Sequence, residues 1–117
     1  MIVRMLALLV ALTSAASAHV QLVSVMMINS TCRPTTLDLL AGSDYQLHIL
    51  NAESGARDFS APDLFAAGVV APGDAAKVKE GAVTINGGAT VDLRFTPGKR
   101  GTYKLTCARI PGLVTVE

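Results

Sequence analysis

The stretch Gly101-Thr-Tyr-Lys-Leu-Thr-Cys107-Ala-Arg-Ile-Pro-Gly-Leu-Val-Thr-Val-Glu117 decides the fold of this chain. Within residues 103–107 the alternate positions are Tyr, Leu and Cys, which is the period of a strand with one buried face. Pro111-Gly112 is a turn signal, and the β-favouring residues that follow it indicate a last strand over 113–116. The stretch therefore predicts two strands joined by a tight turn, with a cysteine at the end of the first strand.

Residues 1–18 have the features of an export signal. Arg4 supplies the positive start, residues 5–12 form an apolar run, and Ala16-Ser-Ala18 is a small-residue cleavage site. The apolar run is too short to span a bilayer. We expect cleavage after Ala18, a mature single domain over 19–117, no membrane span in that mature chain, and a periplasmic or secreted location.

Charge and composition exclude several classes of function. Of the 10 Lys and Arg residues, one (Arg4) lies in the signal, so the mature part holds 9 against 9 Asp and Glu. No basic stripe is present to neutralise phosphates, so we expect no nucleic-acid partner. The sequence has no Ser/His/Asp set, no paired-carboxylate motif and no phosphate-binding loop. We therefore expect a protein that is not an enzyme.

Short β-rich segments separated by Gly, Pro and Asn follow one another along the mature part at roughly ten-residue spacing. One segment, around 62–67, has instead the pattern of a short helix, with Pro62 in its first turn and Gly68 at its end. Many short strands with turn residues between them predict an all-β sandwich. The predicted strands lie at 20–29, 35–40, 45–51, 81–85, 90–95, 102–108 and 113–116.

The closing stretch, with its pattern G-x-Y-x-[apolar]-x-C followed by Pro-Gly, resembles the end of a cupredoxin, the family of small secreted blue-copper domains. Five further segments are similar to family segments in the same order: 32–42, 45–51, 59–65, 81–88 and 90–97. The resemblance covers nearly all of residues 20–117. It implies a Greek-key β-sandwich of about seven to eight strands with one short helix near 62–67.

The resemblance also identifies where copper ligands should be. A blue-copper site needs a Cys thiolate, two imidazoles and a weak axial group such as Met. Cys107 matches the family's Cys, and Asn51 matches the Asn that steadies the site from behind the ligands. The first His falls at Arg57, and Leu113 follows Pro-Gly directly, with no room for the second His and the Met. One ligand of four remains, so the resemblance predicts a degenerate type 1 site.

Three interpretations of Cys107 are open: a lone copper thiolate, a free buried thiol, or half of a disulfide with Cys32. In an exported protein, an even pair of cysteines indicates first a disulfide. Cys32 stands where the family has an aromatic residue packed near the copper end. The resemblance therefore favours the Cys32–Cys107 pairing.

Histidines offer an alternative copper site. Cleavage after Ala18 would give His19 a free amino group, which together with its imidazole chelates Cu(II), and His48 is the one other imidazole that could complete the site. His48 has the parity opposite to Leu47 and Ile49, which favours an outward direction. The simpler interpretation of His19 is a surface residue at the cleavage point.

Two further pairs have simple interpretations. Arg57 and Arg109 would lie near the former copper end, where they could hold an anion or a partner's carboxylate, although solvated arginines are the plainer interpretation. Met26 and Met27 are adjacent in a strand predicted to be covered on both faces, and we interpret them as core fillers in preference to a thioether copper site.

The sequence thus predicts an exported cupredoxin-like binding or accessory module that has lost the usual type 1 copper ligands. We expect no resident cofactor, with copper as the one metal that the resemblance admits. The partner would be an unknown envelope protein or a metal ion. The alternative is a periplasmic copper-handling protein that uses His19, and a further alternative is a blue-copper electron carrier.

Overall fold

A computed structural model describes residues 19–117 of the chain. The export signal predicted over 1–18 lies outside the described residues. Neither helix in the described part is long and apolar enough to cross a membrane.

The described part is a sandwich of two five-stranded sheets. The strands are β1 (Val20–Ile28), β2 (Thr31–Arg33), β3 (Thr36–Leu39), β4 (Asp44–Asn51), β5 (Arg57–Ser60), β6 (Val69–Val70), β7 (Ala82–Ile85), β8 (Thr90–Thr96), β9 (Gly101–Cys107) and β10 (Ile110–Val116). One sheet has the order β2-β1-β4-β8-β6 and the other the order β3-β10-β9-β5-β7. β1 runs parallel to β4 and β3 parallel to β10, while the other pairs are antiparallel. The predicted fold class is confirmed.

The strand number is ten, where the sequence indicated about seven to eight. β2, β5 and β6 are the additional strands, and each has only two to four residues. Such short segments carry too few alternations to be distinguished from loops by pattern, and they form because a longer neighbour offers a free edge. The predicted helix is confirmed as α1 (Pro62–Ala67), with Pro62 at its start. A single turn of 3-10 helix follows at Ala75–Lys77.

Apolar side chains from both sheets fill the space between them. Phe65 of α1 packs against Phe59 and Phe95, with ring centroids 6.4 and 5.4 Å apart, and so closes one region of this core. Asn51 is the one buried polar residue in the described chain. Burial of the apolar side chains is the main favourable contribution to folding.

The outer face of β1 differs from expectation. Leu22 is 64% exposed and Met26 is 40% exposed, whereas Met27, on the opposite face, is fully buried. The prediction that β1 is covered on both faces is therefore wrong, because none of the described elements packs over this side of the first sheet. Met27 is a core filler as interpreted, and Met26 is not.

Candidate functional site

A disulfide closes one end of the sandwich. Cys32 on β2 and Cys107 at the end of β9 are bonded, with Cα atoms 6.0 Å apart and a sequence separation of 75. The two strands belong to different sheets, so the bond ties one sheet to the other. Both cysteines are buried. The structure thus has the disulfide that the family resemblance favoured over the thiolate and the free thiol.

The turn beside Cys107 lies three residues earlier than predicted. Cys107 pairs with Ile110, and Ala108 and Arg109 between them have φ values of 50° and 72°. Two positive φ values in a two-residue hairpin define a type I′ turn, whose twist matches that of the strands. Pro111 and Gly112 lie inside β10 instead of forming the turn.

The local packing explains why Pro111 and Gly112 are tolerated in a strand. β3 pairs with β10 only from Leu113 onward, so Pro111 has no neighbour on the side where its nitrogen lacks a hydrogen. At Gly112 an added Cβ would lie 2.0 Å from the carbonyl oxygen of Thr35. The prediction of a turn at Pro111-Gly112 is therefore wrong. Pro111 lies at an unpaired strand edge, and Gly112 lies where the Thr35 backbone comes too close for a side chain.

The positive φ of Arg109 yields a prediction on stability. Arg109→Gly should raise the free energy of unfolding by about 0.5–1 kcal/mol, because a left-handed conformation costs an L-residue roughly 1–2 kcal/mol and the glycine recovers only part of that through unfolded-state entropy. Denaturant unfolding measures the change. Arg100→Gly, an exposed arginine without positive φ, is the matched control and should be neutral or destabilising. Equal loss of stability in both variants would contradict the strain at Arg109.

Asn51 organises the loops next to the disulfide. Its Nδ2 donates to the carbonyl oxygens of Gly55 (2.8 Å) and Ile85 (2.9 Å), and its Oδ1 accepts from the Glu53 N–H (2.9 Å). The side chain therefore joins the loop after β4 to the end of β7. The resemblance assigned Asn51 to the support of copper ligands, and in this chain its amide is fully used by the backbone.

Arg57 occupies the place of the family's first histidine, and it is engaged with its own loop. Its Nη2 lies 3.2 Å from Oε1 of Glu53, a carboxylate that also accepts the Ser30 N–H at 2.8 Å. A guanidinium cannot donate a lone pair to a metal. With the Cys107 sulfur bonded to Cys32 and only two residues in the next turn, the residues at this end do not fit a type 1 copper site.

Arg57 and Arg109 line the same surface hollow, of about 610 Å³, beside the disulfide end. Thr84 and Thr106 add hydroxyl groups to the wall, and Asp58 adds a carboxylate that accepts from Thr84 Oγ1 at 2.7 Å. Within residues 19–117 the Arg109 guanidinium makes no ion pair. The hollow can thus offer the unpaired Arg109 cation and the Thr106 hydroxyl to an anionic group, while the Thr84 hydroxyl is taken by Asp58.

The structure does not bring His19 and His48 together. Val20 is level with Asp44 in the parallel β1–β4 pair, so His48 lies about five residues further along than His19. At the strand rise of about 3.3 Å per residue that is roughly 16 Å. The extended pairing of β1 with β4 is what separates them, and a copper site that uses both imidazoles is not present.

His48 has a different partner on the outer face of the first sheet. Its Nδ1 lies 2.7 Å from Oδ1 of Asp92 on β8, and Gln46 Nε2 donates to the same oxygen at 2.9 Å. The hydrogen bond from Gln46, and to a smaller degree the one from His48, holds the pKa of Asp92 below its ordinary value. Sequence reasoning did not find Asp92, because the register of two strands far apart in sequence sets the contact.

Met26, which the sequence analysis interpreted as a core filler, lies instead on the exposed outer face. Together with Ser24, Arg33, His48 and Leu50 it lines an outer-face hollow of about 400 Å³. Alternation alone placed Met26 on the face shared with Leu22, but it did not reveal which face was exposed. No cluster of three or more His, Cys, Asp or Glu residues suited to a metal occurs within 19–117.

Solved structures of copper proteins share the fold. Auracyanin A, a blue copper protein from Chloroflexus aurantiacus, aligns with a TM-score of 0.59 and 15% identity over 85% of this chain and 100% of its own. Auracyanin B gives 0.56 and 20% over 83% and 88%. The metal-binding domain of the Cu(I)-exporting P-type ATPase CopA of Streptococcus pneumoniae D39 gives 0.56 and 16% over 87% and 92%. At these identities the likeness shows the fold alone.

No protein with a curated description matches the sequence. The profile of the cupredoxin-like domain matches residues 1–111, which is most of the chain. The two-sheet sandwich, the single short helix and the Cys107 strand agree with that match. The chain therefore belongs to the cupredoxin-like domain family.

Proposed function

We propose that this protein is an exported cupredoxin-like binding module that serves as an accessory domain in the cell envelope, without electron transfer and without catalysis. The observation that carries the proposal is the disulfide between Cys107 and Cys32. A sulfur in a disulfide has no thiolate lone pair of the kind that a blue-copper centre requires. The Arg57–Glu53 ion pair and the two-residue turn after Cys107 support the same conclusion.

The module would contact its partner through the hollow shared by Arg57 and Arg109. A carboxylate or another anionic group of the partner would bind the unpaired Arg109 guanidinium, with the Thr106 hydroxyl as an additional donor. The hollow lies beside the disulfide, so the cross-link would hold the rim in place. The partner in this proposal is an envelope protein that presents an acidic surface.

A thiol count combined with copper titration tests the proposal. We expect denatured, unreduced protein to show no thiol with Ellman's reagent and two after reduction. Folded protein titrated with Cu(II) should develop no intense blue thiolate-to-copper band. Two reactive thiols without reductant, together with a blue band in the folded protein, would restore the electron-carrier alternative.

The second candidate is copper handling at the amino terminus of the processed chain. The relatives include copper proteins, and His19 is exposed. Because His48 is about 16 Å away along the strands, by the rise of a β-strand, such a site would consist of the amine and imidazole of His19 alone. Cu(II) binding by correctly processed protein that is lost in His19→Gln would support this candidate.

A further inference from the structure

We infer that the outer face of the first sheet carries a site for a soft monovalent metal ion, Cu(I), formed by the imidazole of His48 and the thioether of Met26. This site lies on the outer face of the first sheet, whereas the disulfide is buried on the inner face, and it uses neither cysteine. It is therefore independent of the proposed function. Four properties support the site: the orientation of the His48 ring, the availability of its second nitrogen, the position of Met26 and the chemistry of the two donors.

The first property is the orientation of the His48 ring. Nδ1 is 2.7 Å from the Asp92 carboxylate, and Gln46 holds the same oxygen from the other side. A carboxylate that accepts the hydrogen of one ring nitrogen fixes the tautomer, so that the other nitrogen carries the lone pair. In metalloproteins this carboxylate–histidine arrangement stands behind many imidazole ligands. Here Asp92 acts as a positioning residue for His48.

The second property is that the remaining nitrogen is available. Among the described residues Nε2 of His48 has no hydrogen-bond partner. The His48 side chain is 40% exposed and lines the outer-face hollow of about 400 Å³. The lone pair can thus reach an ion that enters from solvent.

The third property is the position of Met26. Ser24 is level with His48, and Met26 is level with Leu50, so Met26 and His48 lie diagonally on one face of the sheet. Strand separation and rise put their Cα atoms roughly 8 Å apart. Both side chains line the same hollow, and Met26 is 40% exposed. One ion bound in this hollow would lie within reach of both side chains.

The fourth property is the chemistry of the donors. A thioether and an imidazole are soft and borderline ligands, which select Cu(I) over hard cations. The Met26 thioether and the His48 imidazole alone would give the ion two ligands. The Ser24 hydroxyl lines the same hollow. Arg33 also lines the hollow, and its positive charge opposes a bound cation. The site should therefore bind Cu(I) with moderate affinity.

The chain offers a matched control for each ligand. Met26 and Met27 are adjacent on opposite faces of β1, so Met26→Leu is controlled by Met27→Leu. His48 and His19 are the only two histidines, so His48→Gln is controlled by His19→Gln. Leucine for methionine conserves volume, and both leucine variants should stay folded. Thermal unfolding of each variant verifies this.

The experiment is an anaerobic Cu(I) titration of the processed, disulfide-intact protein with ascorbate, in competition with a chromogenic chelator. We expect one equivalent of Cu(I), and Met26→Leu and His48→Gln should each weaken its binding at least about tenfold, the scale on which ligand-shell changes act. Met27→Leu and His19→Gln should leave the affinity unchanged. Since Cu(I) is diamagnetic, the Met26 methyl and His48 ring signals should shift in NMR spectra.

Two further variants test the surroundings of the site. Asp92→Ala should weaken Cu(I) binding about tenfold and should also mix the His48 tautomers, which ring nitrogen shifts report in the absence of metal. Arg33→Gln should strengthen binding by up to about fivefold, the effect of one exposed charge.

Binding that is lost in His19→Gln, or that survives both Met26→Leu and His48→Gln, would overturn the site. So would wild-type protein that takes no Cu(I) from the chelator. A blue band at Cys107 would contradict the proposed function but would leave this site untouched.

Discussion

The double variant Cys32→Ala/Cys107→Ala is expected to lose on the order of 4 kcal/mol of unfolding free energy. The bond closes a loop of 75 residues, and the entropy that a cross-link of this length removes from the unfolded chain is worth about that much. Small domains are stabilised by roughly 5–15 kcal/mol in total. The variant should therefore unfold near the lower limit of stability, and denaturant titration measures the loss.

The slope of that titration separates the cross-link from the packing of the two sulfurs. Without the bond the unfolded chain expands and exposes more surface, so the m-value should rise as the midpoint falls. Wild-type protein kept in reductant is the control, because it lacks the bond but keeps both sulfur atoms. It should reproduce most of the loss. A change of less than about 1 kcal/mol with a constant m-value would show that the bond does not restrain the unfolded chain.

The disulfide illustrates what could be predicted from the sequence and on what basis. The period of residues 103–107 is visible in the sequence, and β9 has the predicted buried face, with Leu105 and Cys107 inside. The pairing with Cys32 rested on the position that Cys32 takes in the family, 75 residues away. The helix at 62–67 was predictable for a local reason, since Pro62 and Gly68 mark its two ends.

Features that depend on register could not be predicted in the same way. Ala108 and Arg109 form a turn although both carry a Cβ that disfavours positive φ, and Pro111-Gly112 does not, although its composition is that of a turn. The contacts of His48 with Asp92 and its nearness to Met26 depend on how β1, β4 and β8 align. Tertiary pairing decides these features, and local sequence carries little information on it.

Asn51→Ala is expected to cost about 3 kcal/mol of stability in protein that has no metal bound, because three backbone groups lose their partner, one in a fully buried place and two in partly buried places. They are the Glu53 N–H and the carbonyl oxygens of Gly55 and Ile85. Unsatisfied buried polar groups are among the few causes of large mutational losses. Hydrogen exchange should show that the Glu53 amide loses protection in the variant.

Two comparisons determine whether this cost arises from the hydrogen bonds of Asn51. Asn86→Ala removes an exposed asparagine without side-chain hydrogen bonds from the turn after β7, and it should change stability by less than about 0.5 kcal/mol.

Asn51→Asp keeps the acceptor but directs a carboxylate at the Gly55 and Ile85 carbonyls. Burial among acceptors favours the neutral acid, so the pKa of this new carboxyl should be raised on folding. Its loss of stability relative to wild type should then be fully present above the folded pKa and should shrink as the pH falls through it, because the protonated acid can donate one hydrogen bond. A pH-independent loss, or an Asn51→Ala variant as stable as Asn86→Ala, would mean that the Asn51 amide does not hold these loops together.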